Sequence, residues 1–140
     1  MTLLLGENLV LDPLTPEEWN SLRYTPDEWC HNNSMTLRWP HDESHRGYLI
    51  VLPGECYAIG VLHINDDYET RFAIHEEFRD KGYAKEAVKT WAETHLTMGR
   101  GTIYAQTTED DKAANKVLLY AGFVPVEKTP EGTVKWEITP

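Results

Sequence analysis

Apolar and polar positions follow two rhythms along this chain. Up to residue 74 the apolar runs are short and alternating. Asn8-Leu9-Val10-Leu11 reads as a strand closed by Asp12-Pro13, and Gly47 to Leu52 and Cys56 to Ile64 as two strands about a Pro53-Gly54 turn. Asp66-Asp67 makes the next turn, and Tyr68 to Ile74 alternates as a further strand. Thr15-Pro16-Glu17-Glu18 and Thr25-Pro26-Asp27-Glu28 each open a helix, with a capping Thr and Pro at the first helical position. From Gly82 the period becomes 3.6. Ala84, Ala87, Val88, Trp91, Ala92 and Leu96 form one apolar stripe, which Met98-Gly99 ends. Thr102 to Thr107 reads as a strand. Ala114, Val117, Leu118 and Ala121 mark a second amphipathic helix with Gly122 as its C-cap, and Phe123–Val126 and Thr133–Ile138 close the chain as strands. The order predicted is strand, two helices, three strands, helix, strand, helix, two strands: a mixed α/β fold with helices on both sheet faces, in a single domain over 1–140.

Composition narrows the function classes. The 140 residues are 41% hydrophobic and 26% charged, as expected of a globular protein. The formal net charge of −10 argues against nucleic acid as a partner, because phosphate backbones require neutralisation. The excess is confined to residues 1–78, with 4 basic and 14 acidic side chains, whereas residues 79–140 carry 9 of each. Within the second part the cations cluster at Arg79, Lys81, Lys85, Lys89, Lys112 and Lys116. An acidic side and a locally basic site would hold a cationic partner and an anion separately. No apolar run approaches membrane-span length, and the opening residues lack the basic flank of a secretory signal, so a cytoplasmic setting with no membrane partner is expected. Two cysteines, Cys30 and Cys56, make no disulfide framework. Cys30, His31, His41 and His45 match no common zinc spacing, and no metal site is expected.

The stretch from Ile74 to Ala84 carries the most chemistry. A strand ends, a short loop follows, and a long helix starts at Gly82 between the cations Arg79, Lys81 and Lys85. Unpaired amides at a helix N-terminus, with the positive end of its dipole, suit a phosphate or diphosphate. Gly82 would allow close backbone approach, and Ala84 keeps the next turn narrow.

Arg79-Asp80-Lys81-Gly82-Tyr83-Ala84 resembles the Arg/Gln-x-x-Gly-x-Gly/Ala diphosphate loop of the GNAT superfamily of N-acetyltransferases. Asp111-Lys112-Ala113-Ala114-Asn115, running on to Gly122-Phe123, resembles the family's second signature, a helix that opens with Asn-x-x-Ser/Ala and ends in Gly-Phe. The likeness covers nearly the whole chain and is nearest to the ribosomal-protein N-terminal acetyltransferase branch. It implies a mostly antiparallel central sheet with a splayed strand pair. It also implies acetyl-CoA as acyl donor, and an amine or basic peptide terminus as acceptor that attacks the thioester directly in a ternary complex. On this resemblance Phe72 and Ile74 would offer main-chain hydrogen bonds to the donor's arm. The amides of Arg79, Asp80, Lys81, Gly82, Tyr83 and Ala84 would take the diphosphate. Glu69 is the first candidate for the base that deprotonates the amine, and His63, whose ordinary pKa suits proton transfer at neutral pH, is the second.

Three positions depart from the family pattern. Leu118 stands where many relatives place a Tyr that protonates the departing thiolate, and Tyr120 lies about 200° further round the helix. Asp111 and Ala114 replace the usual Asn and Ser near the donor's thiol end, and Asn115 is the residue able to compensate. A catalytically weak acyl-CoA-binding module, or a protein that keeps the fold for interaction alone, therefore stands beside the acetyltransferase as an alternative. Asp27, Glu28, Asp42 and Glu43 fall in the region that covers the acceptor site in such proteins, and form a candidate acidic rim.

Overall fold

A computed structural model describes residues 4–14, 46–54, 58–64, 67–74 and 76–140. The two early helices, the candidate zinc residues and the acidic rim lie outside the described residues. Five strands form one antiparallel sheet in chain order: β1 (Leu4–Leu5), β2 (Val10–Leu14), β3 (Arg46–Val51), β4 (Gly60–Ile64) and β5 (Thr70–Ile74). A 3₁₀ turn (Glu76–Phe78) leads to helix α1 (Tyr83–Thr97). Then come β6 (Ile103–Thr108), helix α2 (Lys112–Ala121), β7 (Val124–Lys128) and β8 (Thr133–Ile138). The last three strands form a second antiparallel sheet in the order β6-β8-β7. From β3 onward the element order is the one the sequence predicts.

The first strand differs from expectation. β2 starts later and runs through Asp12 and Pro13 instead of stopping there. Pro13 pairs with Tyr48 of β3, and among the described residues β1 reaches only Val10 and Leu11, so no described strand needs the N–H that Pro13 lacks on its other edge.

Helix α1 buries Ala87, Val88, Trp91, Ala92 and His95 against the first sheet. The stripe thus closes on His95 rather than Leu96. The imidazole is 1% exposed, with ring centroids 4.9 Å from Tyr68 and 5.2 Å from Trp91. Position 95 is one turn past Trp91, so the ring faces the same way and an aromatic pair takes the place of an aliphatic contact. The start of α1 is fixed from the other side. Asn8 donates from its backbone N–H and its Nδ2 to the two oxygens of Glu86, at 2.8 and 2.9 Å. That carboxylate lies in the first helical turn, where the dipole favours it.

Helix α2 is capped at both ends. Asp111 accepts the Ala114 N–H, and Gly122 takes the left-handed conformation (φ 103°) in which a C-cap favours glycine. Its apolar face, Val117, Leu118 and Ala121, packs with Phe123, Ile103, Ala105 and Trp136 into the same core as the α1 stripe.

Gly60 lies where β4 meets β5, and a Cβ there would overlap the Ala73 carbonyl oxygen and come within 2.9 Å of Ile74 Cδ1. Gly60→Ala is expected to lower stability by about 1–3 kcal/mol, through overpacking, read as a reduced midpoint in urea.

Candidate active site

Among the described residues the two sheets are joined by one backbone bridge. Glu69 and Tyr104 form an isolated parallel bridge, and the Tyr104 N–H donates to the Tyr68 carbonyl at 2.9 Å. Tyr68 itself has φ 60°, outside strand geometry, which ends the pairing on its N-terminal side. Beyond the bridge β5 and β6 part, and a wedge-shaped cleft of about 830 Å³ opens between them. Residues Glu69 to Ile74 form one wall and Ala105 to Thr107 the other. Gly82 to Lys85 stand at the mouth, and α2 contributes Asp111, Ala114, Val117 and Leu118. Alternate residues of a strand turn their backbone groups to the same edge. Counting from Tyr68, the main-chain groups of Phe72 and Ile74 therefore face the cleft, as do those of Gln106 counting from Tyr104.

At the mouth, Gly82 is the N-cap of α1 with φ 83° and no capping side chain. The first helical amide to find an acceptor within the helix is Glu86, which donates to the Gly82 carbonyl at 3.1 Å. The amides of Tyr83, Ala84 and Lys85 precede it and have no intrahelical acceptor. Asp80 is also left-handed (φ 62°), and such alternation bends a loop so that successive N–H groups converge on one concavity. A Cβ at Gly82 would meet nothing within 4 Å, so the glycine is required by its backbone angle and not by packing. Arg79 donates from Nε to the Ile74 carbonyl at 3.0 Å, while its Nη2 is buried without a hydrogen-bond partner. Lys81 is not on the cleft wall, and its Nζ lies 5.6 Å from the centre of the Phe78 ring, which is.

At the closed end, Glu69 is 19% exposed and pairs with Arg71 at 3.5 Å. His63 lies opposite Arg71 across the β4–β5 ladder, on the same sheet face as Glu69. It is 2% exposed and does not reach the cleft wall. The structure thus brings Glu69, Phe72, Ile74, Arg79, Asp80, Gly82, Tyr83, Ala84 and Asp111 to one cleft, and leaves His63, Lys81 and Asn115 off it.

On α2, Asp111 is committed to its cap, accepting from Ala114 at 3.1 Å. Asn115 is committed too. Trp136 Nε1, which can only donate, bonds Thr107 Oγ1 at 2.8 Å. The Thr107 hydroxyl donates to Asn115 Oδ1 at 2.6 Å, and Asn115 Nδ2 donates to the Glu109 carbonyl. Leu118 is fully buried on the cleft wall. Tyr120 is 53% exposed on the far face of α2, with Lys85 and Lys89 ammonium groups 5.7 and 5.1 Å from its ring centre.

A family model described as an acetyltransferase (GNAT) domain matches residues 8–124. The chain belongs to this family and is an acetyltransferase of the GNAT class. Its fold is similar to that of solved GNAT-type proteins. A ribosomal-protein alpha-N-acetyltransferase in complex with coenzyme A superposes with a TM-score of 0.81 at 13% identity, covering 99% of this chain and 98% of that one. A spermidine N-acetyltransferase from Vibrio cholerae gives 0.76 at 15% identity, with 96% and 95% covered. An acetyltransferase from Agrobacterium tumefaciens gives 0.74 at 17% identity, with 100% and 95% covered. No curated protein sequence matches the chain significantly. Among the described residues no helix is long and apolar enough to cross a membrane, and no group of His, Cys, Asp or Glu is arranged to hold a metal ion.

The residues of the cleft fit an acyl-CoA. An uncapped helix N-terminus and a buried, unpartnered guanidinium nitrogen converge at the mouth, and two strand edges run inward from it. Asn115→Ala is expected to cost about 1–2 kcal/mol, since the Thr107 hydroxyl loses its acceptor and the Glu109 carbonyl its donor. Chemical denaturation, with Asn115→Asp as the variant that keeps only the acceptor, measures this.

Proposed function

We propose that this protein transfers an acetyl group from acetyl-CoA to an amine by direct attack, with both substrates bound together. The observation that carries the reading is the parting of β5 from β6 beyond the Glu69–Tyr104 bridge, in line with the uncapped N-terminus of α1. When bound, acetyl-CoA supplies an activated thioester carbonyl. Everything else falls to this chain's own residues. The amides of Tyr83 and Ala84, with Arg79 Nη2, hold the diphosphate by charge-assisted hydrogen bonds. Backbone groups of Phe72 and Gln106 hold the arm as a strand holds its neighbour. Ile74 offers its N–H and the second lone pair of its carbonyl, the first being taken by Arg79. Positioning of this kind accounts for a large share of the acceleration in a bimolecular transfer.

Glu69 serves as the base. It stands at the closed end, part-exposed and beside the bridge, where an acceptor approaching from the opposite sheet face arrives. Arg71 orients its carboxylate from two residues away. His63 is enclosed and off the cleft wall, so its part is to support the sheet face on which Glu69 sits. The acceptor is a protonated amine or a basic peptide terminus. Two of the similar structures are named for spermidine, an amine, and for the alpha-amino group of a ribosomal protein. The residues that would line its path from the acidic N-terminal half fall among those not described. The compartment proposed is the cytoplasm.

A second reading, a CoA-binding module of low activity, draws on the side chains of α2: Asp111 caps the helix and can only accept, Asn115 lies off the cleft wall, and Leu118 has no polar group to offer. A panel of amines assayed for transfer, beside calorimetry with CoA, separates the two. Binding with transfer to at least one amine is expected, and binding with no transfer favours the module. Glu69→Gln should lower kcat by roughly 10²–10⁴ with CoA affinity retained. Gly82→Val should abolish CoA binding in calorimetry, while stability falls by about 1–2 kcal/mol, the cost of a left-handed non-glycine.

A further inference from the structure

Breaking a thioester leaves negative charge on sulfur, and the helix that would ordinarily meet it has nothing to offer. Leu118 is apolar, the Asp111 carboxylate caps α2 and has no proton to donate, and Asn115, bonded to Thr107 and Glu109, lies off the cleft wall. Among the described residues three hydroxyl side chains line the cleft: Thr70, Tyr83 and Thr107. Thr107 spends its single proton on Asn115 and accepts from Trp136. Tyr83 is the first residue of α1, at the anion-binding mouth. Thr70 is different. It opens β5 immediately after the Glu69–Tyr104 bridge, at the apex of the wedge, and is 3% exposed. Its Oγ1 is sealed from water and has no hydrogen-bond partner. Its ladder partner is Ile64, which supplies no polar side chain. Buried hydroxyls without partners are costly and uncommon, and one at a reacting centre has a functional explanation.

We infer that Thr70 is a catalytic residue, its hydroxyl donating a hydrogen bond to the donor's thioester sulfur as the C–S bond breaks. This rests on the transfer reaction proposed above and assigns a sulfur-stabilising group that the other described residues of the cleft do not supply. From Ile74 to Thr70 the strand spans about 13 Å. A donor arm anchored at Gly82 and laid along β5 therefore brings its reactive end to the apex. Exchange of Oγ1 and Cγ2 between staggered positions turns the hydroxyl to the cleft without moving the backbone. In the step, the amine nitrogen forms the new C–N bond, the C–S electron pair stays on sulfur, and the amine's proton passes to Glu69. Thr70 keeps its own proton. A thiol with a pKa near 8.5 is a far stronger acid than an aliphatic alcohol, so the hydroxyl stabilises the thiolate without protonating it, and the thiolate takes its proton from water after release.

The test has a readout independent of turnover. Wild-type protein and Thr70→Val are loaded with CoA, and the thiolate absorbance of the bound thiol is titrated against pH as a difference from the CoA-free protein. The bound thiol of Thr70→Val is expected to titrate roughly one to two units higher than in the wild type. Its kcat should fall roughly 10- to 100-fold with CoA affinity little changed, and Thr70→Ser should restore both. If Thr70→Val does not fold, by circular dichroism, Thr70→Ala carries the same comparison. Binding intact with an unchanged thiol titration overturns the role of Thr70 alone. A wild-type protein that does not bind CoA overturns the proposed function, and this inference with it.

Discussion

Most of this architecture depends on a strand pairing that stops after one bridge. β5 and β6 run parallel, and in an ordinary sheet their edges would zip along their whole length. Here they meet at Glu69–Tyr104 and separate. Each exposed edge keeps backbone donors and acceptors that are costly to leave unpaired away from water, and the two edges face one another across a gap that a third, strand-like chain can fill. The separation is held from both sides. Tyr68, in a left-handed conformation, ends the pairing below the bridge. Above it, the Trp136–Thr107–Asn115 chain of hydrogen bonds fastens β6 to β8 and α2, drawing it away from β5.

The same separation organises the charges. Cations and open amides gather at the wide end, where β5 hands over to α1, and the Glu69 carboxylate stands at the narrow end. The two ends of the cleft thus carry opposite signs, the mouth suited to an anion and the closed end to a cation. The uneven charge along the sequence is consistent with that division: the basic residues come from the segment that builds the mouth.

Periodic elements were legible in the sequence because burial enforces the period. Helix α1 follows its stripe from Ala84 to Trp91, and Gly122 ends α2 as a left-handed cap. The loop-to-helix junction at Gly82 was legible too, since the glycine there is demanded by a backbone angle that few other residues adopt. Features set by long-range partners were not. Nothing near Asn115 in sequence announces Trp136, with which it shares Thr107, so its amide looked available. Pro13 looked like a terminator because the width of the neighbouring strand, which decides whether a missing N–H matters, is a tertiary property. Thr70 was silent for the opposite reason. An alternating strand pattern says which way a hydroxyl points, and not whether anything bonds to it.

The outer edge of the second sheet has a consequence of its own. All five residues of β7 are exposed, Val124 and Val126 among them, and β8 occupies only one side of the strand. A flat, apolar border of this kind would invite another chain to add on. Here Pro125 removes one donor, a bulge between Pro125 and Glu127 breaks the register, and Glu127 and Lys128 place charged side chains in the strand itself. Together they make β7 a poor template for edge-to-edge pairing, in contrast to the edges of β5 and β6 that line the cleft.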